Sequence, residues 1–245
     1  MKKDYISYYS DLEEKHWWWQ ARRFFVSNEL NKIFLKSKNK SKHLIDIGCG
    51  AGFTIKSLKD KFKCIGIEPD KHFIRFAHKN TGVPIKKGFL PNGLPKLRNK
   101  ADIVLLLDVL EHVKEDKKSL KKISSLMLPG GYLILNVPAM RWMWSVHDEI
   151  NDHKKRYERK DLQKVIVQSG FEIVKLRYWG VLLLPLAYFI ERKLFNKNNK
   201  DEYSVHTPSP LINKLVKWYC IFEYKLTEHI PLPFGLSLFA VLKKK

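Results

Sequence analysis

From residue 42 onward, short apolar segments of the chain alternate with longer amphipathic ones. The apolar segments include "HLIDI", "CIGIE", "ADIVLLL" and "YLILNVPA", and segments such as "TIKSLKDKF" and "DKKSLKKISSLM" between them have helical spacing. Strands that are apolar throughout are typical of parallel sheets covered by helices on both faces. The pattern therefore predicts an α/β doubly wound sheet, whose ligands bind outside the carboxyl ends of the strands.

A glycine-rich turn follows the first of these strands. Gly48, Gly50 and Gly52 form a G-x-G-x-G sequence, and Asp46 precedes them within the strand. A dinucleotide-binding turn has the spacing G-x-G-x-x-G, and a triphosphate-binding loop ends in G-K-[ST]. This turn matches neither of them. It is therefore predicted to bring the main chain close to a ligand that has no pyrophosphate.

A carboxylate is predicted at the end of the second strand. Glu68 follows Gly48 by about 20 residues, which is the spacing of a carboxylate that binds ribose hydroxyls in such folds. A nucleoside without pyrophosphate suggests S-adenosylmethionine as the cofactor.

Together with "DVLEHV" (108–113) after the fourth strand, these residues resemble class I S-adenosylmethionine-dependent methyltransferases. The resemblance extends from about residue 42 to residue 139. It implies that Glu68 binds both ribose hydroxyls and that Asp46 and the amides of the glycine turn hold the methionyl group. The segment after Asp108 would close over the sulfonium.

The adenine side of the expected site departs from this family. Family members often carry an acidic residue just after the third strand, whereas this chain has "GFLPNG" there. The adenine is therefore expected to contact main-chain and apolar groups around Phe89 and Leu90. The tryptophan-rich segment ahead of the glycine turn further resembles methyltransferases of bacterial glycan, lipid and secondary metabolism.

Methyl transfer from a sulfonium is an in-line displacement, so the protein mainly aligns the acceptor with the methyl group and excludes water. A base is needed only where the acceptor loses a proton. The candidate bases on the expected rim are His112, then His147 and His153, while Arg156 and Tyr157 are candidates for substrate contacts. Each has a structural alternative: His112 could cap or orient the following helix, and Arg156 could pair with an acid on the next helix. The spacing matches no known set of metal ligands, so no metal is predicted.

Near the amino terminus, "HWWWQARRFF" contains three consecutive tryptophans. Successive helical residues are about 100° apart, so one core-facing stripe cannot bury all three. We predict a helix over about residues 11–36 that forms a lid, in which Trp18 and Trp19 wall off the substrate. Arg22 and Arg23 would contact an anionic group such as phosphate. The alternative is plain packing beneath the helices of a later insertion.

A long insertion separates the sixth predicted strand, 171–179, from the final one, "LSLFAVLKK". Connections longer than about 12–15 residues usually have a function or a structure of their own. This one predicts two helices, roughly 180–195 and 209–229, joined by a polar stretch. Their composition fits a substrate cap, a dimer interface or a helix at a membrane surface.

The predicted fold is therefore a Rossmann-like doubly wound sheet of seven strands, the last one antiparallel. It carries an N-terminal helical lid and a helical insertion between strands six and seven. The predicted boundaries are a cap over 1–40 and a methyltransferase domain over 41–245, with the insertion over 180–234.

The formal net charge is +21, and the excess is mostly lysine scattered along the 245 residues. General lysine bias and an anionic partner explain this equally well. Three cysteines without a C-x-x-C pair, and an amino terminus without an apolar run, predict a cytoplasmic protein that could contact the inner face of the membrane.

The leading hypothesis is a methyltransferase that acts on an oxygen or carbon of a small-molecule, glycan or lipid-linked substrate. Two alternatives stay open. The net charge motivates an RNA methyltransferase, although no RNA-binding module is recognisable and nucleic acid is not favoured. The apolar insertion motivates a peripheral-membrane binding or scaffold protein. The sequence leaves the oligomeric state open.

Overall fold

The computed structural model describes residues 3–34, 42–193, 207–228, 230 and 232–245. At its centre is a seven-stranded sheet with the order β3-β2-β1-β4-β5-β7-β6. The strands are β1 (His43–Ile47), β2 (Lys63–Glu68), β3 (Ile85–Lys87), β4 (Ala101–Leu107), β5 (Met127–Pro138), β6 (Phe171–Trp179) and β7 (Ser237–Lys244).

The sheet has the predicted topology. Strands β1 to β5 pair in parallel, and β7 runs antiparallel between β5 and β6. The strand order reverses beside β1, so the carboxyl ends of β1 and β4 border a crevice of the kind that binds ligands in doubly wound sheets.

Alternate residues of each central strand enter opposite apolar layers. In β4, Val104 and Leu106 pack into one buried cluster, whereas Ile103 and Leu105 pack into the other. All four side chains are fully buried, because the strand is covered on both faces. This double burial explains why the strand sequence is apolar throughout.

Helices cover both faces of the sheet. They are α1 (Lys3–Lys15), α2 (Trp17–Phe34), α3 (Phe53–Leu58), α4 (Lys71–Thr81), α5 (Asp116–Leu126), α6 (Val146–Ile150), α7 (Arg159–Gln168), α8 (Leu183–Lys193) and α9 (Pro210–Leu226). Short 3₁₀ turns lie at Leu110–His112 and Arg141–Met143. Among the described residues, no helix is both long and apolar enough to cross a membrane.

The prediction of one helix over residues 11–36 was wrong, because the chain breaks at His16 into α1 and α2. The Nδ1 atom of His16 accepts a hydrogen bond from the Trp18 amide at 3.2 Å, which caps the start of α2. Arg23 Nη2 donates to the Glu14 carbonyl at 2.9 Å, which satisfies the last turn of α1. Side chains around the break therefore complete both helix ends.

Strand β5 begins before the apolar segment "YLILNVPA" from which it was predicted and includes the sequence "LPGG". The pairing of β4 with β5 shifts register between Ala101 and Ile103, and Gly130 has a positive φ of 72°. Glycine therefore forms an irregularity inside the strand, as it commonly does at β-bulges.

Both predicted helices of the insertion are present as α8 and α9. Most of the polar stretch between them, 194–206, lies outside the described residues. Helix α9 packs against α2: the rings of Phe25 and Tyr224 stack with centroids 4.2 Å apart, and the Trp17 amide donates to Asn213 Oδ1 at 2.7 Å. Helix α2 of the predicted cap and helix α9 of the insertion therefore form one helical layer over the sheet, whereas Leu184, Ala187 and Tyr188 of α8 pack into the other apolar cluster. The domain boundaries remain a prediction.

Candidate active site

The glycine turn between β1 and α3 lies at the crevice. Gly48, Gly50 and Gly52 all have positive φ, at 74°, 52° and 84°. A Cβ atom on Gly48 would lie 2.4 Å from Val109 Cγ2, and one on Gly50 would lie 2.9 Å from Glu13 Oε2. Both the backbone conformation and the available space therefore require glycine at these two positions.

Glu68, at the end of β2, borders this turn as predicted from the sequence. Its Oε2 atom accepts from the Gly50 amide at 3.0 Å, and its Oε1 atom accepts from the Asp70 amide at 3.1 Å. Burial raises the pKa of Glu68 to about 7. Asp46 lies in β1, two residues before Gly48. It is 3% exposed, and burial raises its pKa to about 8.

A third carboxylate in this site, Glu13 of α1, was missed by the sequence analysis. Its Oε2 atom accepts from the Ala51 amide at 2.8 Å, and its Oε1 atom accepts from the Phe53 amide at 3.0 Å. Glu13 is 9% exposed, and burial is the largest cause of its raised pKa. No local pattern marks this acid, because it reaches the turn from a helix about 40 residues earlier in the chain.

The residues at this turn fit S-adenosylmethionine. The roles of Glu68 toward the ribose, and of Asp46 and the main chain of the glycine turn toward the methionyl group, remain predictions. Buried carboxylates are costly unless they are paired with a positive charge. A cofactor that carries both a sulfonium and an ammonium supplies such charge.

Asp108 directly follows β4 in a left-handed conformation, with φ of 56°. Its carboxylate accepts hydrogen bonds from the Asn136 side chain and from Arg22 Nη1, and Trp18 Nε1 lies 3.5 Å from its Oδ2 atom. Trp179 Nε1 in turn donates to Asn136 Oδ1 at 2.9 Å. Two of the predicted substrate contacts, Trp18 and Arg22, are therefore brought together with the predicted cofactor residue Asp108.

The other two predicted lid residues lie further from Asp108. Trp19 packs edge-on against the His16 ring, with centroids 5.3 Å apart. Arg23 donates to the carbonyls of Glu13 and Glu14, and its guanidinium lies 6.0 Å from the centre of the Phe53 ring. Their roles toward a substrate remain predictions.

The expected adenine residues follow β3. The side chain of Phe89 is 56% exposed, and its ring lies against Gly93, where a Cβ atom would be 2.4 Å from Phe89 Cε1. Leu90 is half-buried and packs against the main apolar cluster. Phe89 is thus accessible at this edge of the sheet, whereas Leu90 packs against the core.

His112 and His153, two of the predicted bases, meet after β4. Their ring centroids are 4.8 Å apart, and side-chain donor atoms of Glu111, His112 and His153 lie within 4.8 Å of one another. Burial, followed by the charge of His153, lowers the pKa of His112. Among the described residues, Glu111 Oε2 is a buried oxygen without a hydrogen-bond partner. The cluster combines a neutral base with a donor set that could also hold a cation.

A buried ion pair orients the loop after β5. Asp148 is fully buried, and its carboxylate contacts His153 Nδ1 at 2.7 Å and Arg156 Nη2 at 2.8 Å. Arg156 therefore pairs with an acid of the preceding helix α6, whereas the structural alternative had placed its partner on the next helix. Tyr157 is 3% exposed, and its hydroxyl lies 3.2 Å from Asp116 Oδ2. Burial lowers the pKa of His147 to about 4, so that this third candidate base is neutral near pH 7.

The comparisons with known proteins agree with this geometry. A family model described as a methyltransferase domain matches residues 17–176. A ubiquinone biosynthesis O-methyltransferase of Vibrio parahaemolyticus is 22% identical over 216 residues, which cover 78% of this chain and 90% of that protein. A protein of the same name from Coxiella burnetii is 25% identical over 144 residues, and the match covers 55% of this chain and only 61% of that protein.

A solved structure has the same fold at low identity. The S-adenosylmethionine-dependent methyltransferase of Archaeoglobus fulgidus is 21% identical, with a TM-score of 0.54 over 97% of this chain and 100% of that one. Since the family model covers more than half of the chain, the chain belongs to the methyltransferase-domain family.

Proposed function

We propose that the enzyme methylates an oxygen or carbon of a small-molecule, glycan or lipid-linked acceptor, with a hydroxyl as the favoured acceptor and His112 as its general base. The observation that carries the proposal is the solvent-exposed imidazole of His112, which has a lowered pKa and lies 4.8 Å from the His153 ring between centroids, just after Asp108 at the predicted sulfonium end of the site. Relatives named as O-methyltransferases support the choice of oxygen.

The cofactor, when bound, supplies an activated methyl group. The work left to the protein is to take one proton from the acceptor and to exclude water. The lowered pKa keeps the His112 ring neutral near pH 7, so it can accept that proton. The negative charge of Asp108 acts in the opposite direction and would stabilise the imidazolium that forms. The stacked rings of Trp18 and Trp179 shield the same region.

The test is the pH dependence of methyl transfer to candidate hydroxyl acceptors. We expect kcat to rise with pH through a midpoint below the ordinary histidine value of 6.5 and then to level off, and His112→Gln to lower kcat by about 10²-fold or more and to remove the rise. His78→Gln, a histidine on α4 outside the cluster, is the control. An unchanged profile in His112→Gln would contradict the role of this residue.

The same assay tests the metal-free mechanism. With a general base and no metal, methyl transfer should survive EDTA. If EDTA abolished activity and a divalent cation restored it in the wild type but not in Glu111→Gln, the Glu111, His112 and His153 cluster would be a metal site instead.

We further propose that the acceptor is reached at an anionic membrane surface through the exposed face of α9. Exposed apolar side chains follow one stripe of this helix, and lysines flank it. The stripe is formed by Leu211, Leu215, Trp218, Phe222 and Leu226. An amphipathic helix with such composition binds membrane interfaces by apolar burial together with attraction to anionic lipid.

Sedimentation with vesicles tests this surface. The protein should bind vesicles that contain phosphatidylglycerol more strongly than pure phosphatidylcholine vesicles, and the double variant Trp218→Ser, Phe222→Ser should lose that binding. Val174→Ser, at an exposed position on β6, is the matched control. Equal binding by the wild type and the double variant would refute the assignment.

A further inference from the structure

Helix α1 reaches the glycine turn through one side chain. Every main-chain N–H from Gly48 to Phe53 donates a hydrogen bond, and those of Ala51 and Phe53 both go to the carboxylate of Glu13. Gly52, at the start of α3, has no side chain with which to cap the helix. Glu13 therefore performs at least a capping role across the chain.

Capping alone does not explain why the cap is a buried acid beside two others. Glu13, Asp46 and Glu68 are all below 10% exposed; burial raises the pKa of Asp46 and of Glu68, and the charge of Glu13 raises both further. Buried carboxylates that share a site are unfavourable unless a cation joins them. An uncharged cap would avoid this cost. The arrangement instead provides negative charge where a positive ligand group would be stabilised.

The neighbouring guanidinium does not fully compensate for these acids. Arg22 is 6% exposed, and its Nη1 atom is taken by Asp108. Its Nε atom is buried without a hydrogen-bond partner among the described residues. The crevice thus offers both buried carboxylates and an unpaired buried donor, which together suit a zwitterionic amino-acid group.

Helix α1 also spans the crevice. Tyr9 donates its hydroxyl proton to Asn151 Oδ1 at 2.8 Å, beyond β5, and its ring meets Phe73 of α4 edge-on with centroids 6.4 Å apart. Helix α1 therefore contacts the cofactor side through Glu13 and through the packing of Tyr9 on Phe73. It contacts the predicted acceptor side through the hydrogen bond from Tyr9 to Asn151. A ligand bound at the glycine turn would lie beneath it.

We propose that Glu13 is a cofactor-binding residue whose carboxylate holds the α-ammonium of the methionyl group, and that α1 closes over the cofactor through this contact. The inference concerns cofactor binding and is independent of the acceptor. It makes residues 3–15 part of the cofactor site, although they precede the segment matched by the family model.

Calorimetry with three nucleosides isolates this contact. S-adenosylmethionine and S-adenosylhomocysteine carry the α-ammonium, whereas 5′-methylthioadenosine lacks the amino-acid group altogether. We expect Glu13→Gln to weaken both amino-acid ligands about tenfold or more, as for a lost charge-assisted hydrogen bond, and to leave methylthioadenosine unchanged. Glu14→Gln, the exposed neighbour on the same helix, should bind all three as the wild type does.

The outcomes separate the possible roles of Glu13. An equal loss for all three nucleosides would mean that Glu13 only shapes the turn, and tighter binding of the amino-acid ligands would mean that it competes with their carboxylate. Either result overturns the proposal. If the wild type bound none of the nucleosides, the cofactor assignment itself would fail.

Hydrogen exchange of the wild-type protein gives a second measurement, which does not depend on the folding of a variant. S-adenosylhomocysteine should protect the amides of α1 (Lys3–Lys15) more than methylthioadenosine does. Equal protection by both ligands would contradict the role of the ammonium.

Discussion

The indole ring of Trp18 stacks on that of Trp179, with centroids 4.1 Å apart and planes tilted by 32°. Trp179 ends β6 and donates to Asn136, while Trp18 reaches toward Asp108 from α2. The pair joins the amino-terminal helices to the carboxyl end of the sheet. One tryptophan of the run is thus held by a second tryptophan about 160 residues later in the chain, at the rim of the site.

The first prediction concerns this stacked pair. Trp18→Ala should lower the free energy of unfolding by about 2–4 kcal/mol, because it removes a partly buried aromatic ring together with its stacking contact on Trp179. Trp19→Ala is the matched control and should cost less, since Trp19 is packed edge-on against His16. Urea unfolding measures both variants, and equal losses would show that the stack with Trp179 has no special weight.

The second prediction concerns the ribose contact. Glu68→Ala should weaken S-adenosylmethionine binding about tenfold or more, because hydrogen bonds to a carboxylate are worth about 1.5–3 kcal/mol. The measurement is calorimetry, with Glu172→Ala at an exposed position of β6 as the control. Unchanged affinity in Glu68→Ala would place the cofactor pocket elsewhere.

The third prediction concerns the pH dependence of cofactor binding. Burial raises the pKa of Asp46 to about 8 and that of Glu68 to about 7, so the free protein holds protons on both groups near neutrality. A cationic ligand favours the ionised carboxylates, so binding should release protons. The association constant should therefore rise from about pH 6 to about pH 8 and then level off.

Calorimetry in two buffers of different ionisation enthalpy measures this proton release directly. Asp46→Asn should reduce both the release and the slope of affinity with pH. Affinity independent of pH, with no protons released, would contradict the coupling. The same shifts predict that the free protein loses stability as pH rises from about 4 to about 8, because ionisation is more costly in the folded state.

The fourth prediction concerns the buried ion pair after β5. Hydrogen bonds to His153 and Arg156 outweigh burial and lower the pKa of Asp148 to about 2. Its contribution to stability is therefore present above about pH 4 and is lost as the pH falls toward 2. Asp148→Asn should cost about 3–5 kcal/mol in the free energy of unfolding at pH 7, because it leaves a buried guanidinium unpaired.

Chemical denaturation at pH 7 and at low pH measures this contribution. Asp161→Asn breaks an exposed pair with Arg141 and is the matched control, with an expected cost below about 1 kcal/mol. A similar cost for the two variants would mean that Asp148 does not organise the loop.

The sequence by itself determined the sheet and the glycine turn, because both depend on local patterns. Apolar strands alternating with helices predicted a doubly wound, mainly parallel sheet, and the positive φ of Gly48 and Gly52 agrees with the turn inferred from G-x-G-x-G. Glu68 could be located because its strand pairs directly with β1, so its distance from the turn is fixed by strand length.

Only the tertiary structure decided which side chains from distant segments share the site. Glu13 reaches the glycine turn from α1, and Glu111 meets His153 across a separate loop. The break at His16 likewise depends on side chains that cap both helix ends. Such contacts cannot be predicted from local periodicity, because they form only when the packing of helices and strands brings residues that are far apart in sequence within hydrogen-bond distance.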